Sequence, residues 1–322
     1  MKKIWLILFV FIVVSCAVYD GKYTNSDNTL RVYEKNNLHL YAPNARNTLA
    51  VKLDSLSTLK LETNLPLLDG ATALYPVYSA FAQAVYPKKK YYSPYEGEVV
   101  CNNTVQAYEN LIAKTVDIIF VASPSKAQLD MAEKAGVGFR YIPIGMEAFV
   151  FFVNALNPID NLTIEQLQGI YSGEITNWKE LGGNDEEIRP FQRNENSGSQ
   201  TAFIKFMNGK KIIEPPKEDV VEFMIGIVSK TADYANYGNS IGFSFRFYVN
   251  KMVLNKEVKI LKINGVYPNI TTIRNGTYPI ASSFFAIALA DNDKPNVSKF
   301  LEWIVSAQGQ YLVKKTGYCP IK

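Results

Sequence analysis

The order of apolar segments constrains the fold of this chain most strongly, because strand-like runs alternate with helical patterns. Residues 65–68 form an apolar run, and apolar residues recur at helical spacing over 74–85. A second run, 115–121, is followed by Ser123 and Pro124, which is typical of a helix start. Strands that alternate with helices predict an α/β fold with largely parallel sheets. At 322 residues the chain can build two lobes.

Two polar residues follow the first two predicted strands. In open α/β sheets, ligands bind beyond the carboxyl ends of the strands, where Thr72 and Ser123 are expected. Thr72 also suits a plain helix N-cap. Asp117 lies inside an apolar run, and burying a carboxylate there is costly without a partner. The alternative for Asp117 is a strand-end position that faces water.

A third candidate site is the run from Arg193 to Ser199, which precedes a predicted helix. It places one arginine four residues before the Ser197-Gly198-Ser199 turn. Helix N-termini bind oxyanions through unpaired N–H groups and the positive end of the dipole. Arginine adds a charged planar fork that matches phosphate or carboxylate. The alternative is an ordinary loop with a cap at Ser197.

The first sixteen residues predict the compartment. Lys2 and Lys3 precede an apolar run over 4–14, which is too short to span a bilayer and suits a secretory signal over 1–15. Residues 13–16 resemble a bacterial lipobox, which implies that Cys16 is lipidated. We therefore expect an extracytoplasmic, membrane-anchored lipoprotein in the periplasm or at the cell surface, with residues 16–57 as a tether and N-terminal segment. The alternatives are an ordinary signal peptide or a buried N-terminal helix.

Composition excludes several classes of function. The net charge of +4 includes Lys2 and Lys3, so the processed chain carries +2, which does not favour a nucleic-acid partner. His39 is the single histidine, in a segment read as a half-buried strand, and Cys16, Cys101 and Cys319 have no metal-ligand spacing. We therefore predict no metal, no cofactor and no enzyme activity. Whether Cys101 and Cys319 pair is left open.

The chain resembles the phosphate-binding proteins of ABC importers, within the class of two-lobed solute-binding proteins. The resemblance covers roughly residues 64–320. In chain order, the matching segments are 69–72, 116–123, 170–178, 193–199, 239–243, 276–280, 309–310 and 317–318.

This resemblance implies two mixed or parallel sheets flanked by helices, with the ligand cleft between two lobes. The first lobe would comprise residues 58–147 plus 249–322, and the second residues 148–248. The implied partners are phosphate, an ABC permease and the membrane through the lipid anchor, with the protein itself a monomer.

The resemblance also implies the ligand-binding residues. Thr72, Asp117, Arg193 and the turn at 197–199, with Ser197, Gly198 and Ser199, take the family's roles. Asn103 and Thr104 are added because the family's second serine-bearing helix start has its nearest counterpart at residues 101–104, without the usual glycines, and Ala71 is included as a further ligand-binding residue.

Asp117 is expected to accept a hydrogen bond from a protonated phosphate oxygen, which fully ionised sulfate lacks. Two alternatives to phosphate import remain. One is a binder of another small oxyanion or an organic solute, and the other is a surface adhesion or sensory protein, which the 20 tyrosines suggest.

Overall fold

The computed structural model describes residues 38–89 and 92–321. The predicted signal segment, the lipidation site Cys16 and most of the predicted tether lie outside these residues. Within them, no helix combines the length and the apolar character that crossing a bilayer requires.

The described chain alternates strands and helices, as predicted. The strands are β1 (Leu68–Gly70), β2 (Ile118–Val121), β3 (Phe139–Asn154), β4 (Asn161–Leu162), β5 (Arg189–Pro190), β6 (Gln192–Arg193), β7 (Val220–Val221), β8 (Ser240–Phe245), β9 (Val258–Ile260), β10 (Lys262–Ile263) and β11 (Ala281–Leu289). The α-helices are α1 (Tyr75–Val85), α2 (Asn103–Ile112), α3 (Lys126–Lys134), α4 (Ile164–Ser172), α5 (Gly198–Met207), α6 (Met224–Ala232), α7 (Tyr234–Tyr237), α8 (Ile270–Arg274), α9 (Pro295–Ile304) and α10 (Ala307–Thr316). Shorter 3₁₀ turns cover Thr72–Leu74, Trp178–Leu181 and Lys217–Asp219, and a π-helical turn covers Tyr248–Val253.

Seven strands form one mixed sheet in the order β1-β2-β11-β3-β8-β5, with β9 also paired to β3. The pairs β1–β2 and β5–β8 are parallel, whereas β11 runs antiparallel to both β2 and β3. The strand β3 also pairs antiparallel with β8 and β9. The α/β class is therefore confirmed. The sheet is less parallel than the alternation suggested, because β3 and β11 run against their neighbours.

The long strand β3 connects the two halves of the molecule. Its first part, Phe139 to Ala148, pairs with β11, and its second part, Phe149 to Val153, pairs with β8. Its sixteen residues span roughly 50 Å at the usual rise of a strand. Glu147 therefore lies where β3 passes from one set of partners to the other.

Two hydrophobic cores flank this transition. The first draws its buried side chains from α1, α2, β1, β2, β11, α9 and α10. The second draws them from the end of β3 and from α4, α5, α6, β8, β10 and α8. We call the parts that surround these cores the first and the second lobe.

One stretch of the chain packs in a different lobe from the one predicted for it. Residues 249–281 were assigned to the first lobe, but Leu261, Ile263 and Ile273 belong to the second core. The reason is pairing, because β9 joins the second half of β3 and β10 joins β4. These contacts depend on long-range register, which local patterns do not show.

The described part of the N-terminal segment lies against the first lobe. The Gln308 side-chain amide donates to the Leu56 carbonyl at 2.8 Å, and Lys315 pairs with Asp54 at 2.6 Å. His39 lies in an exposed helical turn, edge-on to Tyr95 at 5.1 Å between ring centroids, so its interpretation as a half-buried strand residue is wrong.

Both cysteines within the described residues are buried thiols. Cys101 and Cys319 are not bridged to each other. The question that the sequence left open is therefore resolved in favour of two separate thiols.

Candidate functional site

A small cavity lies between the two lobes, beside the carboxyl ends of β1 and β2. The space inside it that the centre of a water molecule can reach is about 30 Å³. Its lining combines residues of both lobes with residues of the strands that connect them. They are Ala71, Ala73, Leu74, Thr104, Ala122, Glu147, Gly198, Met224, Phe245, Ser282, Ser283, Phe284 and Tyr318.

A second, larger cavity of about 490 Å³ lies on the surface, between the N-terminal segment and the end of α1. Its lining includes Lys52, Lys60, Lys88 and Lys89. Its lining comes from the N-terminal segment and the first lobe alone, so lobe closure would not enclose a ligand there. The inter-lobe cavity is therefore the candidate site.

The first-lobe wall begins directly after β1. Ala71 lines the cavity, and its N–H donates to the Phe120 carbonyl of β2 at 2.9 Å. Thr72 opens the 3₁₀ turn that continues into α1, and no side chain caps this start. Thr72 is half-buried and does not itself line the cavity. The first lobe thus brings a helix beginning to the cavity, as predicted, with Ala71 rather than Thr72 at its wall.

Residues 101–104 are held in place by Asp69 at the end of β1. Its carboxylate accepts from the Asn102 N–H at 2.8 Å, from the Asn102 amide at 3.1 Å and from the Asn110 amide at 2.8 Å. Burial raises the pKa of Asp69, and these donors together with the Gly70 N–H oppose the rise. These bonds hold Asn102 and the start of α2 in place beside β1.

Thr104 and Asn103, the two ligands predicted within residues 101–104, lie in different environments. Thr104 is buried and lines the cavity. Asn103 is exposed, and its Oδ1 accepts from the N–H groups of Val105 at 2.9 Å and Gln106 at 3.2 Å. Asn103 therefore caps α2, and the structure does not bring it to the cavity.

The second-lobe wall begins at α5, whose first residue is Gly198. Ser197 is the N-cap, and its hydroxyl accepts from the Gln200 N–H at 3.3 Å. Gly198 lines the cavity, and Ser199 is fully buried beside it. The first N–H groups of a helix point out of its N-terminus, so α5 directs donors and a positive dipole end toward the cavity.

Arg193 lies buried next to this helix start. Its Nη1 donates to Ser199 Oγ at 3.2 Å, its Nε to the Val221 carbonyl at 2.8 Å, and its Nη2 to the Glu222 carbonyl at 2.7 Å. These bonds hold a permanently charged group at the first turn of α5. Arg193 itself does not line the cavity, and its contact with the site is the bond that holds Ser199 in the first turn of α5.

The two lobes touch at the mouth of the site. A Cβ atom placed on Gly198 would lie 2.9 Å from Thr104 Oγ1, so the close approach requires glycine there. Ser125 Oγ donates to Asn196 Oδ1 at 2.9 Å, and the Gln128 amide donates to the Asn196 carbonyl at 3.2 Å. These contacts bring α2 and α3 against the Arg193–Ser199 loop.

The structure corrects the role predicted for Asp117. This residue precedes β2, whereas the cavity lies at the other end of that strand, beside Ala122. Its carboxylate accepts from the Leu67 N–H at 2.9 Å and from Lys294 at 2.7 Å. Asp117 is therefore a buried ion-pair partner in the first lobe. The apolar run predicted a buried carboxylate, but it did not indicate that this carboxylate lies at the end of the strand away from the cavity.

Sequence reasoning missed a second buried carboxylate, Glu147, which does line the cavity. It is 4% exposed, and its Oε1 accepts from Arg246 Nε at 3.0 Å and from the Ala148 N–H at 2.9 Å. Burial raises its pKa, and Arg246 opposes the rise. A signal was present in the sequence, because Glu147 directly precedes an apolar run over 148–153.

The predicted site residues thus divide into three groups. Ala71, Thr104 and Gly198 line the cavity. Thr72, Arg193, Ser197 and Ser199 belong to the segments that form its walls. Asp117 and Asn103 point to other partners. Within the described part of the chain, no cluster of histidine, cysteine and acidic side chains could hold a metal ion.

Comparison with known proteins gives a family and a fold. A family model described as a PBP superfamily domain matches residues 62–308. The curated "Phosphate-binding protein PstS" of Borreliella burgdorferi is 28% identical over 197 residues, which cover 59% of this chain and 69% of that protein. The protein of the same name from Bacillus subtilis is 28% identical over 195 residues, which cover 59% of this chain and 61% of that protein.

Solved structures share the architecture. A Clostridium perfringens structure with bound phosphate aligns with a TM-score of 0.61 and 23% identity, over 80% of this chain and all of that one. An ABC-type phosphate transport receptor from Vibrio cholerae aligns with a TM-score of 0.57 and 21% identity, over 79% of this chain and 99% of that one. At these identities the likeness shows the fold.

Proposed function

The chain belongs to the PBP superfamily, and we propose that it captures phosphate between its two lobes for delivery to an ABC importer. The observation that carries the proposal is the buried Arg193, bonded to Ser199 at the first turn of α5 beside the inter-lobe cavity. Its relatives from Borreliella burgdorferi and Bacillus subtilis are phosphate-binding proteins, which supports the same ligand.

The donors around the cavity suit a small tetrahedral oxyanion. The Thr104 hydroxyl comes from the first lobe, and the N–H groups at the start of α5 come from the second. A dehydrated anion needs such donors on several sides, because each lost water must be replaced. Donors on opposite lobes are all satisfied only when the lobes close.

Lobe closure would also provide the signal to the importer. The hydrogen bonds from Ser125 and Gln128 to Asn196 form only when the lobes are together. An anion that bridges the lobes stabilises this state by its differential affinity for the closed form. A permease that recognises the closed form would then receive the loaded protein.

The proposed location follows from the N-terminal residues. We propose that residues 1–15 act as a lipoprotein signal, that Cys16 carries the lipid, and that the protein is held outside the cytoplasm. Cys16→Ser should move the protein from the membrane fraction to the soluble extracytoplasmic fraction. A substituted protein that stays with the membrane would contradict the anchor.

Calorimetric titration of the purified full-length chain in mild detergent tests the ligand. We expect saturable phosphate binding near neutral pH and much weaker sulfate binding. Absence of phosphate binding would contradict the proposal, and a thermal-shift panel of other oxyanions and organic solutes would then identify the ligand class. Binding of a protein or glycan without any small anion would favour the adhesion or sensory alternative.

A further inference from the structure

The larger surface cavity has a lining that phosphate capture between the lobes does not explain. Its volume is about 490 Å³, against about 30 Å³ for the inter-lobe cavity. Its charged lining residues are Lys52, Lys60, Lys88 and Lys89, and no acidic side chain of the described chain belongs to this lining. Cations that are grouped around one cavity attract an anion of matching size.

Three of these four lysines have no carboxylate partner among the described residues. Lys89 pairs with Glu98, and the other three are Lys52, Lys60 and Lys88. Lys60 is held in place because its Nζ donates to a backbone carbonyl of α1 at 2.6 Å. Three positive charges therefore remain at one cavity, although the whole chain carries a net charge of only +4.

The acidic residue that lies within the lining segment, Asp54, does not neutralise these lysines. Its carboxylate is held by Lys315 at 2.6 Å and by the Tyr311 hydroxyl. The hydroxyl groups of Ser55 and Ser57 line the cavity on either side of it and can donate hydrogen bonds. The cavity therefore suits an anion that carries several oxygens.

Three exposed leucines lie at or beside this cationic cavity. Leu56 lines it and is 88% exposed, which is the largest exposed fraction among the large apolar side chains of the described chain. Leu49, next to the lining residue Thr48, is also exposed, and its N–H donates to the carbonyl of the exposed Leu40 at 2.7 Å. Lysines beside exposed apolar side chains are typical of a surface that contacts a bilayer, where cations meet lipid phosphates and apolar side chains reach the acyl boundary.

We propose that the surface cavity binds the headgroup of an anionic phospholipid, with Lys52, Lys60 and Lys88 around its phosphate and the exposed leucines at the acyl boundary. A free oxyanion would satisfy the lysines but would leave the leucines in water, so the leucines favour a lipid. The inference goes beyond phosphate capture, because it gives the first lobe a side that faces the membrane. The lining includes no residue of the second lobe, so this contact leaves the lobes free to open and close.

Acetylation of the wild-type chain tests the lysine contacts without any substitution. The full-length chain is incorporated into nanodiscs of phosphatidylcholine alone, or into nanodiscs in which about a third of the lipid is phosphatidylglycerol. Mass spectrometry then gives the acetylation rate of each lysine. Lys52, Lys60 and Lys88 should react about fivefold or more slowly on the anionic discs. Lys205 and Lys256, which are exposed outside the cavity, should react at the same rate on both discs.

A fluorescent probe tests the leucine contact, with a matched control. An environment-sensitive fluorophore is attached to the Leu56→Cys variant in a full-length Cys16→Ser background, in which Cys101 and Cys319 are buried thiols. Its emission should increase on the anionic discs, because the probe enters the acyl boundary. The control is Leu156→Cys, since Leu156 is 66% exposed on the second lobe, and its probe should show no increase. Thermal unfolding verifies that both variants are folded.

The possible results decide between a lipid and other occupants. Equal acetylation rates of the cavity lysines on the two kinds of disc would overturn the inference, and so would equal emission changes at positions 56 and 156. Soluble glycerol phosphate that protects the same lysines equally well without a bilayer would also overturn it, in favour of a site for a free organophosphate. These results leave phosphate capture untouched, because calorimetric titration of the wild type tests the inter-lobe cavity separately.

Discussion

Thr104 and Gly198 touch across the two lobes, with Thr104 Oγ1 only 2.9 Å from the place that a Cβ atom on Gly198 would occupy. Thr104 belongs to the first turn of α2, and Gly198 is the first residue of α5. Two helix beginnings therefore meet at the cavity. An atom added on Gly198 must displace the Thr104 side chain or one of the two helix beginnings.

Gly198→Ala should hinder lobe closure. The added methyl group would contact Thr104 Oγ1 at a distance that real Cβ contacts essentially never show, so the Thr104 side chain or one wall must move. We expect phosphate affinity to fall about tenfold or more, which corresponds to roughly 1.4 kcal/mol. Small-angle scattering with saturating phosphate should show a larger radius of gyration than for the wild type. A variant that reaches the wild-type radius would contradict the steric argument.

Arg193→Lys should weaken phosphate binding while retaining the charge. Lysine cannot reproduce the planar fork that bonds Ser199 Oγ and the carbonyl groups of Val221 and Glu222. Loss of charge-assisted bonds costs about 1.5–3 kcal/mol, or one to two decades in Kd by calorimetry.

The matched control for Arg193→Lys is Arg189→Lys. Arg189 is also an arginine of the second lobe, but it pairs with Asp219 at 2.7 Å, whereas Arg193 bonds Ser199 at the first turn of α5. Phosphate affinity should remain at the wild-type value in this variant. Equal losses in both variants would show that Arg193 acts through general stability rather than through the site.

Asp69→Asn should loosen residues 101–104 and lower stability. The Asp69 carboxylate accepts hydrogen bonds from N–H groups of Asn102 and Asn110, and the NH₂ group of an asparagine would face one of these donors instead. We therefore expect the free energy of unfolding to fall by about 1–3 kcal/mol. Urea denaturation of both proteins measures the difference. An unchanged free energy of unfolding would contradict the role of this carboxylate.

The difference in the free energy of unfolding between wild type and Asp69→Asn should change with pH in one direction. Burial raises the pKa of Asp69 above its ordinary value of 3.8, so the folded chain holds the proton more tightly than the unfolded chain. The contribution of Asp69 is fully present below pH 3.8 and decreases as the pH rises through the raised pKa. The stability gap between wild type and Asp69→Asn should therefore narrow with rising pH. A stability difference that grows with rising pH would contradict burial as the main cause of the raised pKa.

Cys101 and Cys319 should remain unmodified thiols in the folded protein. Both are buried and unbridged. A thiol reagent should label them only after denaturation, and a reducing agent should leave the melting temperature unchanged. Mass spectrometry that finds a bond between them would contradict the structure.

Local patterns predicted the features that depend on neighbouring residues. The alternation of strands and helices, the helix start at Ser197 and the turn before α1 all follow from short stretches of sequence. Thr104 was proposed because its segment lies between the matching segments 69–72 and 116–123, where the family has a helix start. The burial of Arg193 agrees with the need to hold its charge beside a helix start.

The features that were missed depend on long-range contacts. Asp117 and Glu147 are both carboxylates at the edge of apolar runs, and only the sheet shows which of them faces the cavity. The packing of residues 258–263 in the second lobe depends on pairing with β3 and β4. No periodicity within a segment indicates which strand it will join.

A crystal structure of the full-length chain with phosphate tests the central claim most directly. We predict one anion in the inter-lobe cavity, within hydrogen-bond distance of Thr104 Oγ1 and the first N–H groups of α5. Phosphate found instead in the larger surface cavity beside Lys52 and Lys60, with the inter-lobe cavity empty at saturating phosphate, would contradict the account.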